Sequence, residues 1–434
     1  MRNSIRYFTA QRCGQTCHLD DGVRKDNGQL LDVTGGWHDA CDLRRWVDAT
    51  IYGMLGLSHV LDALGSQDAD AARIVDEMRW GNRYFLKMQD PAGFAMYYCG
   101  GDDGNHFTDN EAGTADDRKI QVDPVEMTAQ FNFIAAQAMM VRHTRDADPA
   151  YAKTCEKAGE KALSWCLERG TKQKAATLGA AVLAFVERHR TFGRDPSRDG
   201  AAKYLGALLA LQDPEVGFFR ARADRPDPSR EIMDGNLPLL ALCAAIAAFP
   251  DHTDAATWRT ALQRHVDHLV TLSKLSGFGT IPFGLYAGAD PGGGRRIGKH
   301  FYRWSMKTTK EYRDDDWWVG LNAHLASHGV GLLHAAKLLD RPELAHLAQR
   351  QLDWILGVNP FNASTVTGAG RNQPKLFKAG EFKPPTPLIA GGVMNGLGGT
   401  ASDEICIDPG SWNTCEYWTP MVAYTMQLMA ELHA

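Results

Sequence analysis

No apolar run in the 434 residues approaches the roughly 20 that a bilayer-spanning helix needs, which excludes an integral helical membrane protein. An excess of basic charge is lacking too. The 47 Lys and Arg face 52 Asp and Glu, a formal net charge of −5, and this argues against a nucleic-acid binder. Cysteine is thin. Nine residues, an odd number, are scattered at Cys13, Cys17, Cys41, Cys99, Cys155, Cys166, Cys243, Cys406 and Cys415, so there is no dense disulfide framework. Met1 to Gln11 carry no signal-peptide pattern. That reads as a cytoplasmic protein, or as a chain cut short at its N-terminus, since Tyr7-Phe8-Thr9 is already apolar and aromatic. There is no Gly-x-Ser-x-Gly elbow and no His-Glu-x-x-His. Gly292-Gly293-Gly294-Arg295-Arg296 lacks the order of a phosphate loop and reads as a flexible loop with a basic end.

What is present is helix. Hydrophobic residues make up 44% and charged residues 23%, enough for a large core without metal or disulfide support. Leu321, Leu325, Gly329, Leu332, Ala336 and Leu339 recur at spacings of three and four, as do Val422, Met426, Met429 and Leu432. Similar patterns predict helices over 46–65, 70–89, 123–144, 149–168, 171–190, 197–212, 235–249, 255–274 and 342–356. Strand alternation is nearly absent, confined to Phe94–Cys99 and Gly279–Tyr286. Long loops rich in Gly, Asp and aromatics cover 13–45, 90–122, 276–318 and 357–415, and loops of that length are usually functional. About eleven helices carrying such loops predict an all-α toroid, an (α/α)6 barrel with a cleft on one face, built as one domain over residues 1–434. An α-solenoid is the other arrangement, but no repeat period is present.

Two segments concentrate the chemistry. In Gly35-Gly36-Trp37-His38-Asp39-Ala40-Cys41-Asp42, two carboxylates stand three residues apart ahead of a helix. Such a pair can hold a water and take its proton; equally, an Asp there can simply cap the helix. Near the C-terminus, Trp412-Asn413-Thr414-Cys415-Glu416-Tyr417-Trp418 places Glu416 among aromatics at the mouth of the last helix. A carboxyl against an apolar wall becomes a general acid near neutrality, while a first-turn Glu can also do no more than favour the helix dipole. Glu404, in a more polar setting, is the weaker candidate.

The first segment resembles the Gly-Gly-Trp-His-Asp-Ala-Gly-Asp signature of glycoside hydrolase family 9, with Cys41 at its third glycine. Leu352-Asp353-Trp354-Ile355-Leu356-Gly357-Val358-Asn359-Pro360, continuing through Ser364-Thr365-Val366-Thr367-Gly368, resembles the second signature, and the Glu416 segment the third. They occur in family order from 35 to 433. The resemblance implies an (α/α)6 barrel and an inverting β-glycosidase, with Asp42 as base, Asp39 as its partner on the attacking water and Glu416 as acid. Cellulases of the family usually carry a His-His-Arg segment where this chain reads Gly370-Arg371-Asn372-Gln373-Pro374-Lys375-Leu376-Phe377, so sugar recognition is expected to differ.

Cys13, Cys17, His18 and His38 are ligand types for a closed zinc site, or free thiols and surface imidazoles. Family members with an N-terminal immunoglobulin-like module carry a structural zinc on a matching pattern, so the resemblance implies zinc here, with Cys13 the loosest match. Trp37, Tyr417, Trp317, Trp412, Tyr98, Phe107 and Trp318 lie in or beside the long loops as sugar platforms or as loop packing. His106 resembles a family position near bound sugar. Asp314-Asp315-Asp316 is either a calcium-binding loop or a solvated acidic run. The expected function is hydrolysis of a β-linked glucan or its oligosaccharides, without nucleic-acid or membrane partners. A polysaccharide lyase on the same toroid and a non-catalytic carbohydrate-binding protein are the alternatives.

Overall fold

The computed structural model describes residues 1–13, 21–24, 26–100, 111, 114, 119–170, 173–193, 195–225, 227–229, 232–287, 294–304, 319–377, 388–400 and 402–434. Helices alternate between two environments. Six are buried over most of their circumference: α2 (Val47–Leu64), α4 (Met127–Thr144), α6 (Ala175–Phe192), α8 (Leu237–Ala248), α10 (Asn322–Leu339) and α13 (Thr419–His433). A helix apolar all round belongs in an interior. Each packs on the next, and α13 packs back on α2, so the six close a ring. The helices between them bury one face: α1 (Arg2–Ala10), α3 (Ala71–Lys87), α5 (Pro149–Arg169), α7 (Asp195–Leu209), α9 (Ala255–Ser273) and α11 (Glu343–Ile355). They form the outer layer, and the toroid of six helix pairs is the fold the sequence predicts. A one-turn α12 (Trp412–Cys415) precedes α13.

The eleven predicted helices fall on eleven of these, within a few residues. The twelfth of the double ring, α1, is missed. Its nine residues begin without a side-chain cap and carry a short apolar face of Ile5, Tyr7 and Phe8 that lies against α3 and α13. Strands are short. β1 (Asp21–Arg24), β2 (Leu30–Asp32), β3 (Arg45–Trp46), β4 (Met96–Cys99) and β5 (Lys119–Pro124) form one sheet in the order β2-β1-β5-β4-β3, with β1 and β5 parallel and the other pairs antiparallel. β6 (Gly284–Ala287), β7 (Arg295–Ile297) and β8 (His300–Arg303) form a second, ordered β6-β8-β7, and β9 (Gly398–Gly399) pairs with β10 (Ile405–Cys406).

The N-termini of the inner helices gather at one end. Asp39 O accepts the Thr419 N–H at the start of α13 at 2.8 Å. Tyr52 of α2 donates to Asp234, just before α8, and the Asn236 N–H at the α8 cap donates to Ser327 Oγ of α10 at 2.9 Å. The motif loops sit on this end, where six helix dipoles present their positive poles.

Candidate active site

The signature loop is clamped before any chemistry is asked of it. Arg12 pairs with Trp37 in an antiparallel bridge; Cys13 N–H donates to Gly36 O at 3.1 Å and His38 N–H to Gln11 O at 2.9 Å. Gly36 has φ +76°, and a Cβ there would lie 2.8 Å from Tyr84 Cβ, so this turn requires glycine. Glu77 of α3, buried and not singled out from sequence, gathers the segments. It accepts from Trp37 Nε1 at 2.8 Å, from Arg12 Nε at 3.0 Å and from the Thr9 hydroxyl at 2.7 Å.

Beyond Trp37 the chain turns toward α13. Asp39 is buried; its Oδ2 accepts from Trp418 Nε1 at 2.9 Å and its N–H donates to Arg44 O at 3.0 Å. Asp42 is half-buried, and Arg44 Nε donates to its Oδ2 at 2.6 Å. The Oδ1 atoms of Asp39 and Asp42 are both buried and have no hydrogen-bond partner among the described residues. Glu416 reaches the loop from the other end of the chain, its Oε1 accepting the Cys41 N–H at 3.2 Å. The structure therefore brings Asp39, Asp42 and Glu416 together around Cys41. Burial, then the charge of Asp42, holds the Asp39 carboxyl well above the usual carboxylate range, against the opposing pull of Arg44 and the Trp418 hydrogen bond.

Two local expectations are corrected. No helix starts at Asp42: the loop runs into β3, and α2 follows from Val47. Glu416 is not in a first helical turn either. It is extended (φ −88°, ψ 134°) between α12 and α13, its carbonyl accepting the Asn395 N–H at 2.7 Å while Tyr417 bridges Met394. The helix-dipole account of Glu416 therefore fails, and a carboxylate held on an extended segment across from the Asp loop remains.

The aromatic expectations divide. Trp37 and Tyr417 are buried and cannot offer a ring face to a sugar: Trp37 packs edge-on to Phe8 and over Gly81, and Tyr417 packs edge-on to Tyr7. Tyr98 is buried as well. Trp412 is half-buried in α12, one turn before Glu416. Trp46 was missed: it is half-buried beside Arg44, whose guanidinium lies 5.2 Å from its ring centroid. His106, Phe107, Trp317, Trp318 and Asp314-Asp315-Asp316 lie outside the described residues, as do Cys17 and His18. Cys13 and His38 are buried on the paired segments already described, and no group of three or more metal-ligating side chains is assembled among the described residues. The segment that departs from the family's His-His-Arg packs by the acid, with Phe377 N–H donating to Cys415 O at 3.0 Å.

A second acidic group lies where α2, α4 and α8 begin. Burial, then the charge of Asp234, pushes Asp48 up to about 7. Burial likewise raises Asp234, although the Tyr52 hydroxyl donates to it. Tyr424 donates to Asp234 O at 2.6 Å. The sequence signal for Asp48 was its place at the mouth of a predicted helix, six residues after Asp42.

The helical toroid thus gathers two Asp and one Glu at the N-terminal ends of its inner ring. The family model for glycosyl hydrolase family 9 matches residues 1–184. A cellodextrinase of Butyrivibrio fibrisolvens is 22% identical over 92% of this chain and 74% of its own length. Among solved structures, the cellulase Cel9M of C. cellulolyticum superposes with a TM-score of 0.71 at 18% identity, covering 99% of this chain and 96% of that one. The endoglucanase of the termite Nasutitermes takasagoensis gives 0.71 at 17% identity, covering 99% and 97%. The family match covers residues 1–184, and the likeness in fold to these solved structures runs over nearly the whole chain.

Proposed function

We propose that the enzyme hydrolyses β-linked glucans or their oligosaccharides by a single displacement, with Asp42 as general base, Asp39 as the group that steadies the attacking water and Glu416 as general acid. The observation that carries this reading is the Glu416 Oε1 to Cys41 N–H hydrogen bond, which sets the acid across from the loop of the two aspartates. Inversion needs acid and base roughly 6.5–9.5 Å apart so that a water fits between base and anomeric carbon. Asp39, whose surroundings favour its protonated form, suits holding that water better than deprotonating it. Among the described residues, Trp412, half-buried one turn before Glu416, is the aromatic side chain that suits a sugar ring.

The test is the anomer first released. In NMR-monitored digestion of cello-oligosaccharides, mixed-linkage glucan and chito-oligosaccharides, we expect an α-anomer from a β-linked substrate. A β-anomer would sink the mechanism. An unsaturated, ultraviolet-absorbing product would instead point to a lyase.

Zinc is part of the reading as a structural group. Cys13 and His38 fit it: Cys13 pairs with Gly36 and His38 with Gln11, which puts the two side chains on one face of the bridged segments. With Cys17 and His18 they would complete four ligands. Bound there, zinc would pin the signature loop and take no part in bond cleavage. We expect about one zinc per chain by elemental analysis and a lower Tm after chelation, restored by zinc alone. A metal-free chain with an unchanged Tm would refute it.

A further inference from the structure

Arg44 is the charged residue of the signature loop to which the acid–base assignment gives no part. Its Nε and a terminal nitrogen both meet the same oxygen of Asp42, Oδ2, the former at 2.6 Å. Its carbonyl accepts the Asp39 N–H, so one residue holds the backbone of one aspartate and the side chain of the other. The guanidinium is itself steadied over Trp46, 5.2 Å from the ring centroid. Both side chains of the Arg44–Asp42 pair are 14% exposed, which shields the pair from the solvent and salt that weaken surface ion pairs.

Two problems of this site need such a residue. The terminal torsion of an aspartate is broad and two-fold, so an unclamped carboxylate turns freely. Two donors on Oδ2 fix the plane of the carboxylate and so the direction in which it points. The second problem is charge. The groups facing Asp42 are the carboxyls of Asp39 and Glu416, the thiol of Cys41 and the Arg44 guanidinium. Two acidic neighbours oppose ionisation of a third, and a cation offsets them. Burial works against the charge of Arg44, yet Asp42, Asp39 and Glu416 together hold its pKa above the ordinary arginine value, so it stays a cation.

We propose that Arg44 is the positioning residue of the general base, holding the Asp42 carboxylate in one orientation toward the attacking water and offsetting the negative charge of Asp39 and Glu416 beside it. The inference rests on the reading of Asp42 as base. It places Arg44 outside the reacting atoms, acting through Asp42.

The experiment compares Arg44→Met, Arg44→Lys and Asp42→Asn with the unaltered enzyme on a soluble cello-oligosaccharide, each checked for folding by thermal melt. For Arg44→Met we expect kcat to fall about 10- to 100-fold with KM within about twofold. The acidic limb of its kcat/KM profile should move about one pH unit upward. Arg44→Lys should restore the limb, because the charge returns, but not the full kcat, because a lysine lacks the planar fork. An inactive Asp42→Asn beside an Arg44→Met enzyme with unaltered kcat and limb would overturn this inference and leave the base in place. An active Asp42→Asn would overturn the base assignment, and the inference with it.

Discussion

Asp42→Asn should lower kcat/KM on β-glucan oligosaccharides by about 10²–10⁴-fold, the span that a positioned general base contributes. Glu416→Gln should lose as much on natural substrates. The two variants separate when the leaving group changes. A β-glucosyl donor with an activated aryl or fluoride leaving group departs without a proton, so Glu416→Gln should recover most of its rate there. Asp42→Asn should not, because water still has to be deprotonated. That asymmetry cannot come from general misfolding, which would depress both substrates alike. Little misfolding is expected in any case. Asn keeps the size of Asp42 and an oxygen that can still accept from Arg44. The Gln oxygen at 416 can still accept from Cys41 N–H. If both variants respond identically to the activated donor, the division of roles between Asp42 and Glu416 is wrong. If neither loses activity, the site lies elsewhere.

The parts of this molecule that were legible in the sequence are those written as periodicity or as a contiguous string. Inner-ring helices such as α10 carry apolar residues at every turn, and Gly35 to Asp42 is a single uninterrupted motif. What escaped depends on direction. Trp37 is two residues from Asp39, and adjacency made it a sugar platform. Trp37, bridged to Arg12, enters the core toward Glu77, and the chain turns after His38, where Asp39 N–H meets Arg44 O, so the two side chains part. At the C-terminus it was strand alternation that misled. Tyr417 next to Glu416 is buried against Tyr7, and it is Trp418 that bonds Asp39. Arg44 and Trp46 have no motif of their own. Arg44 takes its place from the turn that returns its carbonyl to Asp39 N–H, Trp46 from the two-residue β3 that follows, and so short a strand leaves no readable alternation. α1 escaped because nine residues give a helical pattern barely two turns in which to repeat.

A cluster that no motif announced sets the other large expected effect, which is loss of stability in acid. Around the starts of α8 and α10, His265, His268, His324 and His328 are buried together. Asn236 lies against His265 and His328 at 3.1 and 2.9 Å, and the His324 and His328 ring centroids are 4.2 Å apart. Burial holds His265 and His324 at about 4, and burial with neighbouring imidazoles holds His268 at about 3 and His328 well below its ordinary value. Burial also lowers His59, and takes His143 to about 4 with help from Arg142. Each of these six takes up a proton near pH 6.5 when the chain unfolds and refuses it when folded. Their contribution is whole above about pH 6.5 and is lost as pH falls toward their folded values. Asp39, Asp48 and Asp234 act oppositely, since their raised pKa values let the folded chain keep protons that the unfolded chain has released. The lowered histidines outnumber the raised carboxyls, so unfolding takes up protons as pH falls from 6 to 4, and stability falls with it. The Tm should therefore fall below pH 6. His268→Phe keeps an aromatic ring among Phe218 and His265 and removes one titrating group, so it should shift the acid midpoint downward. A Tm unchanged from pH 7 to 4 would show that these histidines reach solvent and protonate without unfolding.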